Sequence, residues 1–240
     1  MNIEKTIIKA TKSLKNSNIK NPYLDSELLL SKVIKKDRKY MILNSKKKLN
    51  SKYLENFNNL ISRRKRGEPV AYLINSKEFW KQKYFVNKHV LIPRPDSEIL
   101  VEETLKLYQK RKKIKLLDIG TGSGCISITL AMEIPKAQVF GSDISEKAIK
   151  IAQKNRDNLF VKNLQLINED VFSNVSHNSL DILISNPPYV KSNEYPVLMP
   201  DVLNYEPKIA LTDDLDGLTF YKRIAQIGRS HLNKGGWIIV

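Results

Sequence analysis

Cysteine occurs once in the 240 residues, at Cys125. An internal disulfide and a multi-cysteine zinc centre are therefore excluded, no metal is expected, and the expected location is a reducing compartment, the cytoplasm. No early apolar stretch follows the first lysines, and no run approaches the roughly 20 apolar residues that span a bilayer, so neither secretion nor a membrane partner is expected. No Gly-Lys-Ser/Thr follows a glycine loop, which disfavours a phosphate-cradling P-loop. What the chain has in excess is positive charge, unevenly spread. Residues 1–66 hold 18 Lys and Arg against 5 Asp and Glu, a net +13 of the total +16, and residues 67–240 hold only +3. Clustered cations set up a long-range field that favours an anionic partner such as RNA, a ribosome or an acidic protein surface; a merely solvated lysine-rich surface is the competing reading.

Length and charge asymmetry together suggest two domains. Residues 1–72 read as a small helical bundle, with apolar residues at helical spacing in Leu24, Leu28 and Leu29 and again in Tyr53, Phe57, Leu60 and Ile61. Breaks are expected near Asn21-Pro22 and from Asn44 to Ser51, with Asp25, Ser26 or Ser51 as candidate caps. The run Arg63 to Arg66 before Gly67 suits a helix C-terminus, where cations offset the dipole. Residues 73–92 turn aromatic and β-branched and read as a hairpin linker of two short strands. A helix is expected after Pro93-Arg94-Pro95, capped by Asp96 or Ser97. Residues 93–240 then alternate short apolar strands with helices: strands at 114–119, 138–141, 164–167 and 180–185, helices at 125–132 and 147–155, and a last strand over Trp237 to Val240. That alternation predicts an α/β domain, a doubly wound, Rossmann-like parallel sheet covered on both faces.

Directly after the first of these strands, Asp118-Ile119-Gly120-Thr121-Gly122-Ser123-Gly124 sets three glycines at alternate positions before a helix. A tight turn that brings backbone against a ligand leaves no room for a β-carbon, so Gly120, Thr121, Gly122, Ser123 and Gly124 are the candidate cofactor loop. Asp118 either supports this loop or contacts the cofactor directly. Asp143 ends the next strand, where a carboxylate accepts from both hydroxyls of an adenosine ribose, and Glu169-Asp170-Val171-Phe172 after the third strand suits the adenine side. These features favour an adenosyl cofactor over a dinucleotide.

The tetrad Asn186-Pro187-Pro188-Tyr189 follows the strand 180–185, at the carboxyl edge where open α/β sheets bind ligands. Two prolines fix φ and remove backbone donors, leaving acceptors. The Asn186 side-chain oxygen and a rigid carbonyl can each take one hydrogen of a target NH₂, which selects a primary amide or exocyclic amine. Gripping both hydrogens aims the nitrogen lone pair at an electrophilic methyl group, and Tyr189 offers an aromatic face to the planar acceptor.

These residues resemble a family, the release factor glutamine methyltransferases (HemK/PrmC). The resemblance is carried by Gly67-Glu68-Pro69 with Tyr72, Phe79-Trp80, Leu91 through Glu98, Asp118 through Gly124, Asp143 and Asn186 through Tyr189, and covers essentially the whole chain. It implies a substrate-recognition role for the first domain, S-adenosyl-L-methionine as methyl donor with S-adenosyl-L-homocysteine as product, and peptide-chain release factors as partners. The acceptor would be the glutamine of their Gly-Gly-Gln loop, methylated at N5. Cofactor contacts would fall on Gly120–Gly124, Asp143, Val171 and Asn186, catalysis on Asn186, Pro187 and Tyr189, and substrate contacts on all four tetrad residues. Val171 stands where some members carry a larger residue, so its contact is expected through backbone. Asn75 stands where glycine is common, and asparagine tolerates the left-handed conformation. Family members continue through a further helix and two strands, so the methyltransferase domain is expected to be C-terminally incomplete, its last strand an exposed edge and its solubility marginal. Two other functions remain open: an amino-methyltransferase acting on adenine or guanine, which would have to extract the base from its stack, and an inactive, truncated cofactor-binding module.

Overall fold

A computed structural model describes residues 1–108, 113–173 and 175–240. The chain divides into two compact units, Met1–Asn75 with Pro200–Tyr205, and Ser76–Met199 with Glu206–Val240.

The first unit is helical: α1 (Ile3–Lys15), α2 (Pro22–Ile34), α3 (Arg38–Leu43), α4 (Ser51–Lys65) and α5 (Val70–Ile74), joined by α9 (Pro200–Tyr205). Ile3, Ile7, Ala10 and Leu14 of α1 repeat at three and four residues and bury one stripe against Leu29, Leu30, Phe57 and Ile61. Each of the buried Ile, Leu and Phe side chains among these stabilises by roughly 1.5–3 kcal/mol. Asparagine and aspartate provide the caps here: Asn2, Asp37 and Asn50 accept from backbone N–H groups at the starts of α1, α3 and α4. The expected caps Asp25, Ser26 and Ser51 do not serve. Asp25 is buried and takes the Arg64 guanidinium at 2.7 Å, Ser26 bonds the Pro22 carbonyl within the helix, and Ser51 is the first residue of α4 after its cap Asn50. Arg64, part of the basic run, therefore points inward and also donates to the carbonyls of Gly67 and Glu68. Gly67 has φ +95°, as expected past a helix end. Leu24, part of that helical spacing, is exposed.

The second unit opens with a hairpin, β1 (Lys77–Phe79) and β2 (Gln82–Tyr84). It is tighter than the aromatic stretch suggested, turning over Trp80 at φ +56° and Lys81, and residues 85–92 are not strand. A 3₁₀ turn (Pro95–Ser97) leads into α6 (Glu98–Tyr108), with no side-chain cap from Asp96 or Ser97. A five-stranded, wholly parallel sheet follows, ordered β5-β4-β3-β6-β7, from β3 (Lys115–Ile119), β4 (Gln138–Asp143), β5 (Leu164–Asn168), β6 (Leu180–Ser185) and β7 (Leu232–Ile239). Between them run α7 (Cys125–Glu133), α8 (Glu146–Asn158) and α10 (Thr219–His231).

Alternation along β3 divides the core: Leu116 packs with Val101, Ile128 and Leu130 of α6 and α7, while Leu117 and Ile119 pack with Ile224 and Ile227 of α10. Doubly wound α/β architecture is thus present. The last strand begins at Leu232, earlier than expected, because it runs through Gly235-Gly236; a register irregularity opposite Leu180 and Ile182 accommodates them. Among the described residues no helix is long and apolar enough to cross a membrane.

Candidate active site

Strand order reverses direction around β3, which pairs with β4 on one side and β6 on the other. Loops leaving the carboxyl ends of such neighbours part and leave a crevice, the usual ligand position of this architecture. A cleft of ≈ 220 Å³ lies there, lined by residues that include Gly120, Gly122, Asp143, Val171, Asn186 and Pro187.

Gly120 has φ +72°, and a β-carbon built on it would meet nothing within 4 Å, so the backbone faces open space at the lip of the cleft. Gly122 N–H donates to Asp143 Oδ2 at 2.9 Å, and Ser145 N–H to Asp143 Oδ1 at 2.9 Å. Burial raises the Asp143 carboxyl above its ordinary pKa, and these two donors pull it back. Asp118 lies deeper, 1% exposed. Its Oδ2 accepts from the Thr121 hydroxyl at 2.7 Å and from Ser127 N–H at 3.2 Å, while its Oδ1 is buried without a hydrogen-bond partner among the described residues. Burial, with the neighbouring Asp143 charge adding to it, outweighs those hydrogen bonds and pushes the Asp118 carboxyl up to about 7.

Thr121, Ser123 and Gly124 do not line the cleft. Thr121 and Ser123 are buried, and Gly124 begins α7 with a left-handed backbone. They shape the loop from within. Asn155 of α8, which sequence reading missed, fastens it: Nδ2 donates to Ser123 O at 2.8 Å and to Phe85 O at 2.9 Å, and Oδ1 accepts from Phe85 N–H at 2.7 Å.

Across the cleft, Asn186, Pro187 and Pro188 lie along its wall, and Asn186 Nδ2 donates to Ser97 Oγ at 2.9 Å. Tyr189 is 59% exposed and outside the cleft lining. The chain after it is pinned, since Val190 N–H bonds Leu211 O at 2.9 Å and Val190 bridges to Thr212. On the remaining side Val171 and Phe172 meet Phe220 of α10, whose ring stands edge-on to Phe172 with centroids 5.3 Å apart. Arg223 Nε–H donates to the Val171 carbonyl at 2.7 Å, which occupies that backbone acceptor. His89, Ile209 and Phe220 complete walls that no local motif announced.

An adenosyl methyl donor fits this lining. A bare glycine backbone at Gly120, a fixed carboxylate with a spare lone pair on each oxygen at Asp143 and an apolar side at Val171 and Phe220 match a loop contact, a ribose diol and a planar base.

Comparison with known proteins bears on the same segments. The model of the Methyltransferase small domain matches residues 95–203, and that of the PrmC N-terminal domain residues 5–74. The chain is 40% identical to a release factor glutamine methyltransferase of Buchnera aphidicola, over 100% of this chain and 85% of that one. It is 39% identical to the release factor glutamine methyltransferase of Clostridium acetobutylicum, over 99% and 85%. A bifunctional methyltransferase of Rickettsia bellii is 37% identical over 99% of this chain and 48% of its own length. The chain thus spans about half the length of the bifunctional relatives it matches.

Proposed function

The chain belongs to the release factor glutamine methyltransferase family, and we propose that it is an enzyme that transfers a methyl group to the side-chain amide nitrogen, N5, of the glutamine in the Gly-Gly-Gln loop of peptide-chain release factors. The observation that carries this reading is the convergence of Gly120, Gly122 and Asp143 with Asn186, Pro187 and Pro188 on a single cleft. When bound, S-adenosyl-L-methionine would supply the electrophilic methyl group of its sulfonium centre, with S-adenosyl-L-homocysteine as product.

Gly120, Gly122, Asp143 and Val171 would hold the nucleoside end. Asn186 Oδ1 and the Pro187 carbonyl accept the two hydrogens of the target amide. An amide lone pair is delocalised into its carbonyl and nucleophilically poor; drawing both N–H bonds toward fixed acceptors favours a pyramidal nitrogen and orients its lone pair along the line of attack. No side chain needs to remove a proton before attack; as the C–N bond forms and the S–CH₃ bond breaks, the nitrogen gives up one of its two hydrogens as a proton to solvent. Tyr189, at the rim, faces the peptide that carries the glutamine.

The +13 carried by residues 1–66 supports a steering role for the first unit toward an anionic surface, on the release factor or on ribosomal RNA. Such steering predicts a KM for release factor that rises with salt.

The test is transfer of labelled methyl to purified release factor, with a Gln→Ala release factor and an Asn186→Ala enzyme as controls. Label lost with the Gln→Ala factor, and strongly reduced to a still measurable level with the Asn186→Ala enzyme, is the expected result. Label appearing instead on duplex or single-stranded nucleic acid would sink the assignment, and cofactor binding without transfer to any acceptor would mark the chain as a binding module.

A further inference from the structure

We propose that Ser97 is a positioning residue for Asn186, holding the asparagine amide so that its oxygen meets the target N–H. The proposal rests on the amide-methylation reading given above.

Ser97 and Asn186 are 89 positions apart, yet Asn186 Nδ2 donates to Ser97 Oγ at 2.9 Å. Ser97 is 7% exposed, and the turn that carries it is anchored on both sides. Its own N–H bonds Arg94 O at 3.1 Å, Arg94 is paired with Glu206 at 2.6 Å, and the next residue, Glu98, accepts from Trp80 N–H at 2.7 Å. The hydroxyl is therefore presented from a fixed backbone.

An asparagine amide has two ends of nearly equal size and opposite sense: oxygen accepts and nitrogen donates. A target NH₂ brings donors. With the nitrogen of Asn186 outward, two donors would face each other in the cleft. With the oxygen outward, the three groups are satisfied together: target N–H to Asn186 Oδ1, Asn186 Nδ2–H to Ser97 Oγ. A hydroxyl serves in either sense by itself, so Ser97 fixes the plane of the amide, and the arriving target fixes its direction. Pre-setting that plane removes a rotation that would otherwise have to be frozen as the target docks. The sequence gives Ser97 a helix-capping appearance, but its oxygen is used here instead.

The experiment combines kinetics with a substrate-free signal. Ser97→Ala is expected to lower kcat toward release factor by about 10- to 100-fold, to leave the dissociation constant for S-adenosyl-L-methionine within about 2-fold, and to be largely rescued by Ser97→Thr, which keeps the hydroxyl. In an Asn186→Ala background Ser97→Ala is expected to add no further loss, because the interaction it supports is already gone. In protein labelled with ¹⁵N-asparagine, the side-chain NH₂ signal absent from Asn186→Ala is expected to show one slowly exchanging proton, lost in Ser97→Ala and regained in Ser97→Thr. Wild-type kcat in Ser97→Ala overturns the proposal, as does an equal fold-loss in both backgrounds or an unchanged NH₂ signal. A wild-type protein that labels no release factor overturns the underlying reading, and the positioning role with it; the exchange signal then still reports whether the contact forms, so the two failures are separable.

Discussion

Glu206 accepts from Arg94 Nη2 on one carboxylate oxygen at 2.6 Å and from Ile92 N–H on the other at 3.0 Å, tying two residues of one segment, 112 and 114 positions away, to the residue just before Pro207. Its side chain is 2% exposed, whereas that of Arg94 is 36% exposed. Removing the charge leaves a cation and a buried N–H poorly matched. Glu206→Gln is expected to lower stability by about 1.5–3 kcal/mol, the range for hydrogen bonds to charged groups, and Tm by roughly 3–10 °C. Because Pro207, Ile209 and Ala210 wall the cleft, cofactor affinity should fall as well. Thermal melts with and without cofactor measure both effects, and a Gln variant melting with wild-type protein would contradict the role.

Asn155 satisfies three backbone groups at once, two on Phe85 and one on Ser123. Asn155→Ala strands all three in a buried site and is expected to destabilise by about 2–4 kcal/mol. Asn155→Asp should be worse still, since a carboxylate there would face two carbonyl oxygens. Denaturant midpoints of the two variants, read in that order, check it.

Gly217 backs the tetrad. A β-carbon there would lie 2.3 Å from the Tyr189 carbonyl oxygen, and φ is +76°. Gly217→Ala combines left-handed strain with overpacking, roughly 2–4 kcal/mol together, and should displace Tyr189 and raise KM for release factor. Gly235 has a comparable φ of +79° but open space around its missing β-carbon, so Gly235→Ala should show the strain and leave KM unchanged. Equal kinetics in the two variants would refute the contact.

Asp118 predicts a pH dependence. Its carboxyl, at 3.8 when unfolded, is raised to about 7 in the folded chain by burial. The folded state therefore holds this proton more tightly, and the contribution of Asp118 to stability declines as pH rises from about 4 to about 7, then levels off. The full change is on the order of 4 kcal/mol. Unfolding free energies of wild type and Asp118→Asn between pH 4.5 and 8 isolate it: the wild type should lose ground steadily to the variant up to neutrality. A constant difference would rule it out.

Much of the fold was legible because its signals are local. Short apolar strands alternating with helices, a glycine loop after β3 and an acid at the end of β4 each report on a few neighbouring residues, and the sheet and cleft follow from their order. What escaped was long-range. Asn155 pairs with Phe85 across 70 positions and Asn186 with Ser97 across 89, and neither spacing leaves a periodic trace. Caps were misplaced for a related reason: Asp25 has the chemistry of a cap, but a buried guanidinium from α4 offered it a stronger partner. The strand β7 was read short because glycines ordinarily end strands, and the pairing irregularity that absorbs them is a property of the neighbouring strand.

The lining of the cleft carries three carboxylates, Asp143, Glu169 and Asp170, and among the described residues no lysine or arginine. In a protein with a net charge of +16 this is a local reversal of sign. Phosphate groups entering it would meet repulsion from these carboxylates, whereas a ligand bearing positive charge would be attracted. A lining of that sign is expected to disfavour phosphorylated nucleosides relative to a cationic adenosyl ligand.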